Sequence, residues 1–213
     1  MPRYTKFTKG LERKKKILFH ILGQNMEKTS RAQTSLSKYN NSWYKPGSIL
    51  KQLAWHVIGR IFINTYLPIP MFVKASVLRV FGAKIGNNVT IKPKVNIKYP
   101  WFLEIEDYVW IGENVWIDNL TTVTLCNNSC LSQGAMLLTG NHNYTKSTFD
   151  LILGPIKIEN GAWIGAKATV CPGVTVHSHA VLTVNSVATK DLEAYGIYQG
   201  NPCLFVKTRN LTN

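Results

Sequence analysis

The sequence predicts a mainly β protein, a parallel β-helix of hexapeptide repeats with an N-terminal helical segment in front of it. Three observations carry this. Beyond Gly82 an aliphatic residue recurs every six positions for about a hundred residues. Before it, residues 46–82 carry apolar spacing of helical period. Two stretches that break the six-residue order are short enough to loop outside a continuous stack of coils. With 213 residues, 45% of them hydrophobic, the chain is long enough for one or two domains with a sizeable core.

Residues 1–45 form a polar, basic arm. The start, MPRYTKFTKGLERKKKILFHILG, places a basic region before the apolar run ILFHILG. The run is short, contains His20 and lacks a small-residue cleavage site, which argues against a signal peptide. Met26, followed by EKTSRAQTS, would itself make an ordinary start. That leaves residues 1–25 open as an extension outside the working protein. Residues 26–48 are rich in Ser, Thr, Asn and Lys. They read as an extended segment anchored by Trp43 and Tyr44 before Pro46 and Gly47 break it.

The helical segment occupies 46–82. In SILKQLAWHVIGRIFINTYLPIP, Gln52, His56, Arg60 and Asn64 recur every fourth residue and draw one polar stripe down a helix. A helix that keeps such a stripe wet is amphipathic and a poor bilayer span. Two placements stay open for it: packed against the rest of the protein, or lying on a membrane surface. A second helix, MFVKASVLRVFG, is expected to end at Gly82 as its C-cap.

The repeat is expected over 83–193, with a tail at 194–213. Its hexads read IGNNVT, IKPKVN, IEDYVW, IGENVW, IDNLTT, LCNNSC, LSQGAM, IENGAW, IGAKAT, VCPGVT, VHSHAV and LTVNSV. Ile, Val or Leu leads every one, and a small residue or Val usually stands fifth. Each hexad supplies a short strand and a turn, so three close a triangular coil. The leader points inward and stacks on its equivalent in the next coil. The fifth residue is small because it too enters the interior beside a corner. At about 4.8 Å per coil, six coils make a prism roughly 25–30 Å long. The breaks are KYPWFLE at 98–104 and a longer loop from His142 to about Pro155.

The formal charge is +14, from 25 Lys and Arg against 11 Asp and Glu, which favours anionic partners. Residues 1–25 hold seven basic residues and one acidic one, and the remainder carries +8. Cys126, Cys130, Cys171 and Cys203 form neither a CxxC pair nor a zinc-ligand spacing. They read as packing residues of a reducing compartment, and no metal is expected. His20 and His56 read as helix-face residues, and His177 and His179 as exposed corner residues.

These hexads resemble the hexapeptide-repeat acyltransferases, and in particular the acetyltransferases of colanic acid and related exopolysaccharide synthesis. The likeness rests on FGAKIG at 81–86, NIKYPW at 96–101, WIGENVWIDN at 110–119, SQGAMLLTGNHNY at 132–144 and WIGAKATVCPGVTV at 163–176. TKDL at 189–192 and GNPC at 200–203 match the wider superfamily, and the resemblance spans roughly residues 43–208. It implies a left-handed β-helix, a hand that the resemblance alone supplies, because parallel crossovers are otherwise right-handed. It also implies a homotrimer with active sites between neighbouring prisms, acetyl-CoA as acyl-donor co-substrate, and a loop histidine as general base.

His142, in TGNH, falls at the position of that histidine. An alcohol is too weakly acidic to attack a thioester unaided, and a neutral imidazole can take its proton. On the cofactor side the resemblance matches Trp163, Ala166 and Val184 to the pantetheine arm. It matches Thr189, Lys190 and Lys207 to the phosphates. A basic residue is common two places after the proline of GNP, where this chain has Leu204, so Lys207 or Arg209 must then do more. Asp118, Asn119, Gln133 and Asn141 are the candidates for acceptor binding. Interior polar ladders would account for Asn119 and Gln133 equally well.

The implied function is acetyl-CoA-dependent O-acetylation of a sugar hydroxyl in exopolysaccharide or capsule-type glycan synthesis. The acceptor is a sugar or a lipid-linked glycan. The enzyme is expected in the cytoplasm, either free or peripheral on an anionic inner membrane face. Three other readings compete. A zinc lyase of carbonic-anhydrase type would need three converging histidines. A non-catalytic trimeric scaffold or sensor would not need TGNH, Trp163 and Lys190 together. A nucleic-acid binder would need a base-stacking or reading element that the sequence lacks.

Overall fold

The computed structural model describes residue 12, residues 14–20 and residues 32–212. Most of the basic start, and Met26, lie outside the described residues. The chain divides into two compact units. One joins the residues up to Asn40 with Tyr144–Phe149; the other comprises Asn41–Asn143 and Asp150–Asn213. In the first, residues 14–20 are helical and exposed, a 3-10 turn spans Leu36–Lys38, and Ser35 N–H donates to the Ser147 carbonyl at 2.8 Å.

The second unit opens with helix α1, Ile49–Phe62, whose N-cap Ser48 accepts the Lys51 N–H on its hydroxyl. Trp55 and Gly59 face inward, and Trp55 Nε1 donates to the Ile97 carbonyl at 2.8 Å, fastening α1 to the first coil. Helix α2, Met71–Val80, follows Pro68 and Pro70 and closes at Gly82, where φ is +100°. The Gly82 and Ala83 N–H groups return to the Arg79 and Leu78 carbonyls, the satisfied C-terminus expected of a glycine cap. Lys74 on α2 is buried and donates to the Ile91 carbonyl at 2.8 Å. Burial, and then the charge of Lys92, lower its pKa.

Above the helices the chain winds through three parallel sheets. The first face holds Lys84–Ile85, Leu103–Ile105, Val123–Leu125, Ile156–Ile158 and Thr175–Val176. The second holds Thr90–Ile91, Trp110–Ile111, Cys130–Leu131, Trp163–Ile164, Val181–Leu182 and Gly196–Gly200, and the third Asn96–Ile97, Trp116–Asp118, Met136–Leu138, Thr169–Val170 and Val187–Ala188. The registers stack the hexad leaders on one another: Ile91 on Ile111, Ile111 on Leu131, Leu131 on Ile164, Ile164 on Leu182. Leaders from Ile111 onward are sealed from solvent, as are the fifth-position residues Val115, Ala135, Ala162 and Ala168. The core is thus a set of aliphatic columns, which hydrophobic burial and close packing hold together.

The fourth hexad position adds a rule of its own. Asn88, Lys94, Tyr108, Asn114, Asn128, Lys167, His179, Asn185 and Tyr195 all have φ between +52° and +59°, and Gly134, Gly161 and Gly173 share the position with φ above +60°. Each of these corners turns through one left-handed residue, a conformation that Gly and Asn adopt at least cost.

Both breaks in the repeat leave the prism. The first is capped by a 3-10 turn, Pro100–Phe102. The second is a two-stranded antiparallel hairpin, Gly140–His142 against Leu151–Leu153, which begins two residues earlier than the sequence placed it. Gly154 N–H closes its base on the Thr139 carbonyl at 2.9 Å. The segment after 193 is sheet and not tail. Gly196–Gly200 continues the second face, and Cys203–Thr208 folds back antiparallel to it through a cis Asn201–Pro202 bond.

Candidate active site

His142 ends the first strand of the hairpin, half-buried and opposite Leu151. Its own N–H donates to Asn141 Oδ1 at 2.8 Å, which fixes the backbone from which the ring projects. The hairpin leaves the prism at Thr139. That residue is fully buried and donates its hydroxyl to the Asp118 carbonyl at 3.0 Å while accepting the Thr121 N–H. Glycine gives clearance at the next position: a Cβ on Gly140 would meet the tip of the Leu120 side chain, which would have to shift. TGNH therefore works as a unit, with Thr139 as root, Gly140 as clearance, Asn141 as brace and His142 at the end of the strand.

Below this root, Tyr44 Oη donates to the Leu120 carbonyl at 2.6 Å. Burial, with Tyr99 and Asp118 adding to it, pushes the Tyr44 phenol well above its usual pKa, so it stays a donor. Asp118 pairs with Lys98 Nζ at 3.0 Å; its Oδ1 is buried and accepts no well-aligned hydrogen bond, so the contact is an ion pair only. Asp118 also borders a groove of about 530 Å³ between α1 and the third face. The polar stripe Gln52, His56, Arg60 and Asn64 lines one wall, facing Lys98, Trp116 and Asp118 across it. The stripe therefore lines a groove within this unit, and α1 packs on the prism.

Of the acceptor candidates, Asn119 is corrected. It is fully buried, its Nδ2 donates to the Tyr99 carbonyl at 2.6 Å, and its Oδ1 accepts the Tyr99 N–H at 3.0 Å. Both ends of the amide are spent on shaping the first break, so no ligand can reach them. Gln133 is exposed on a corner, where its carbonyl accepts the Lys167 N–H, and Asn141 is exposed on the hairpin.

On the cofactor side the fold brings Trp163, Ala166 and Val184 to one corner between the second and third faces. Trp163 is 45% exposed and its Nε1 donates to Ser132 Oγ at 2.8 Å, a partner the sequence did not single out. Ala166 accepts the Asn185 N–H on its carbonyl, so Ala166 and Val184 occupy the same step of successive coils. The approach depends on Gly165, because a Cβ there would lie 2.7 Å from both Thr183 C and Val184 N. Thr189 and Lys190 are exposed at the next corner, beyond the third face. Lys207 is exposed on the added edge strand, opposite Ile197. Arg209 is engaged elsewhere: its Nη1 donates to the carbonyls of Gly161 and His179 at 3.0 and 3.1 Å. That leaves Lys207, and not Arg209, as the free cation of this strand among the described residues.

His177 and His179 stand at a corner as expected, but half-buried and partnered. His177 Nδ1 lies 3.2 Å from Glu159, and His179 stacks on Tyr195 with ring centroids 4.8 Å apart. All four cysteines are free thiols, pushed up in pKa by burial, which suits packing and not nucleophilic attack. Among the described residues no three His, Cys, Asp or Glu side chains gather as a metal set. No described helix is long and apolar enough to cross a membrane.

A prism of about six parallel coils, with a histidine carried on the hairpin that interrupts it, defines the class of hexapeptide-repeat acyltransferases. No family model matches the chain. It is 36% identical over 168 residues to WcaF of Escherichia coli (strain K12), which carries the name of a colanic acid biosynthesis acetyltransferase; the match covers 78% of this chain and 91% of WcaF. It is 27% identical over 140 residues to the galactoside O-acetyltransferase of the same organism, covering 64% and 69% of the two chains. Its fold superposes with a TM-score of 0.69 on the hexapeptide-repeat acetyltransferase VCA0836 of Vibrio cholerae O1 biovar eltor, solved in complex with acetyl coenzyme A, at 20% identity over 78% and 92% of the two chains. The chain belongs to the hexapeptide-repeat acetyltransferase family, with its left-handed parallel β-helix, and is an acyltransferase.

Proposed function

We propose that this protein transfers the acetyl group of acetyl-CoA to a sugar hydroxyl of an exopolysaccharide-type glycan, with His142 as general base. The observation that carries the reading is the construction of the TGNH unit, in which Thr139, Gly140 and Asn141 root, clear and brace the strand that carries His142 out of the prism. The names of WcaF and of the galactoside O-acetyltransferase support acetyl transfer to a glycan hydroxyl, and the complex of VCA0836 supports acetyl-CoA as donor.

In this reading an acceptor hydroxyl meets His142, which takes its proton as the oxygen attacks the thioester carbonyl. The carbon–sulfur bond then breaks and the CoA thiolate recovers the proton. Trp163, Ala166 and Val184 border the pantetheine arm, while Thr189, Lys190 and Lys207 meet the phosphates as point charges and donors. Asp118, Gln133 and Asn141 orient the acceptor. The working enzyme is a C3 homotrimer with a site at each interface, acting in the cytoplasm.

The test is a coupled assay of CoA release over a panel of glycan acceptors, with titration calorimetry of acetyl-CoA alongside. His142→Ala is expected to lower kcat by about 10²–10⁴-fold while binding acetyl-CoA as well as the parent. Unchanged turnover in His142→Ala would remove the histidine from the mechanism. Absence of binding across acyl-CoA donors would remove the transferase reading for this chain.

A further inference from the structure

The charge of this chain is segregated to a degree that its net value hides. Residues 41–103 hold nine Lys or Arg and no Asp or Glu at all, whereas residues 104–213 hold six basic residues against nine acidic ones. The acid-free stretch contains α1, α2 and the first coil; within it Lys74 is buried and Lys84 and Lys98 pair with Glu104 and Asp118 of the next coil, so the positive excess at this end rests on the other six.

The same end exposes apolar side chains in an order that packing does not explain. Trp55 and Gly59 of α1 and its C-cap Ile63 are buried, and Gln52, His56 and Arg60 line the groove. The third side of α1 carries Leu50, Leu53, Val57 and Ile61, spaced three and four residues apart and therefore in one line. Their exposures are 76%, 58%, 56% and 46%. Past the helix the chain continues with Tyr66 and Leu67, also exposed, at 64% and 56%. Cations stand beside this continuation: Lys94 Nζ lies 5.1 Å from the Tyr66 ring centroid, and Lys92 borders the same hollow as Leu67.

We propose that this face, the outer line of α1 with Tyr66, Leu67, Lys92 and Lys94, docks on an anionic lipid bilayer surface. An in-plane helix with an apolar line, flanked by Lys or Arg and free of acids, matches what the interface of such a bilayer offers: acyl chain contact below, phosphate headgroups beside it. An amphipathic tyrosine at the helix end suits the headgroup level. A second copy of the chain does not fit as occupant, since apposing two such faces sets Lys92 and Lys94 against cations of the same face with no acid in residues 41–103 to meet them. The inference stands on charge and exposure alone and does not depend on the reaction at His142. An acetyltransferase so docked would work on acceptors presented at a membrane.

The test is co-sedimentation of the full chain with vesicles of phosphatidylglycerol and phosphatidylethanolamine, and with vesicles of phosphatidylcholine. Binding is expected to the anionic vesicles only, with release as salt rises. Lys92→Gln/Lys94→Gln is expected to weaken partition about 30-fold, at about fivefold per cation near the surface. Leu53→Ser/Val57→Ser, at exposed sites that leave the core intact, is expected to weaken it as well. Lys157→Gln/Lys167→Gln removes the same charge from the other half of the chain and is expected to leave partition within about twofold of the parent. No sedimentation with anionic vesicles would overturn the proposal. So would an equal loss in the Lys157/Lys167 control, which would reduce the effect to net charge, and so would undiminished binding of the Leu53/Val57 variant.

Discussion

The carboxylate of Glu159 faces His177 Nδ1 at 3.2 Å and Lys157 Nζ at 3.3 Å, and it accepts the Ser178 N–H at 3.1 Å. Burial alone would raise its pKa, but the hydrogen bonds and charges of His177 and Lys157 outweigh burial and hold it below the usual value of 4.5. Because the folded value lies below the unfolded one, the unfolded chain binds more protons in this window, and stability rises with pH through it. The contribution is complete above the ordinary carboxylate range and is lost as pH falls through the folded value. Glu159→Gln is therefore expected to lower Tm at neutral pH, with the gap to the parent closing under acid. A series of melts from neutral pH into that range decides it, and a gap that stays constant with pH would assign the loss to packing. The two histidines that the sequence set aside thus acquire structural work, His177 as partner of Glu159 and His179 as the plate between Gly161 and Tyr195.

At the scale of the element, the corner is what each hexad contributes besides its strand. Asn128 has φ +59° at the fourth position, and its N–H donates to the Asp107 carbonyl of the coil below. A β-branched residue there meets the steric cost of the left-handed region, whereas glycine does not. Asn128→Ile is expected to lose about 1–3 kcal/mol of stability, with Asn128→Gly within about 1 kcal/mol of the parent, both read by chemical denaturation. Loss of equal size in both would locate the role of Asn128 in its side chain. This corner also marks where the sequence was legible. The aliphatic leaders and small fifth residues announced the coils because every coil repeats the same burial. The fourth position went unread because Lys94, Tyr108, Lys167, His179 and Tyr195 disguise the rule that Asn and Gly otherwise follow. The hairpin was located but not its form, since nothing in Gly140–His142 alone encodes pairing with Leu151–Leu153. Asn119 was ambiguous for a similar reason: a buried amide and a ligand-binding amide are one residue type, and only its pairing with Tyr99 separates them.

For the whole molecule, the proposed trimer has a consequence that one prism cannot imitate. Trp163 and Lys190 lie at two corners of one prism and Lys207 on an edge strand, while His142 rides on a hairpin that leaves the prism from the third coil. If each site joins His142 of one protomer to the phosphate-binding cations of its neighbour, a head-to-tail ring of three contains three such junctions. Consider His142→Ala mixed with Lys190→Ala/Lys207→Ala, each nearly inactive by itself at acetyl-CoA well below the parent's KM. In every mixed ring, whichever variant is in the minority, one junction of three pairs an intact histidine with intact lysines. Selection through a tag on each variant retains only mixed rings, so about one third of parental activity is expected to return. Co-expression with two tags, purification through both, and light scattering to check for three chains of 24.0 kDa make the measurement direct. Activity no greater than that of the separate variants would place the whole site within one prism, and a mass other than that of three chains would remove the ring itself.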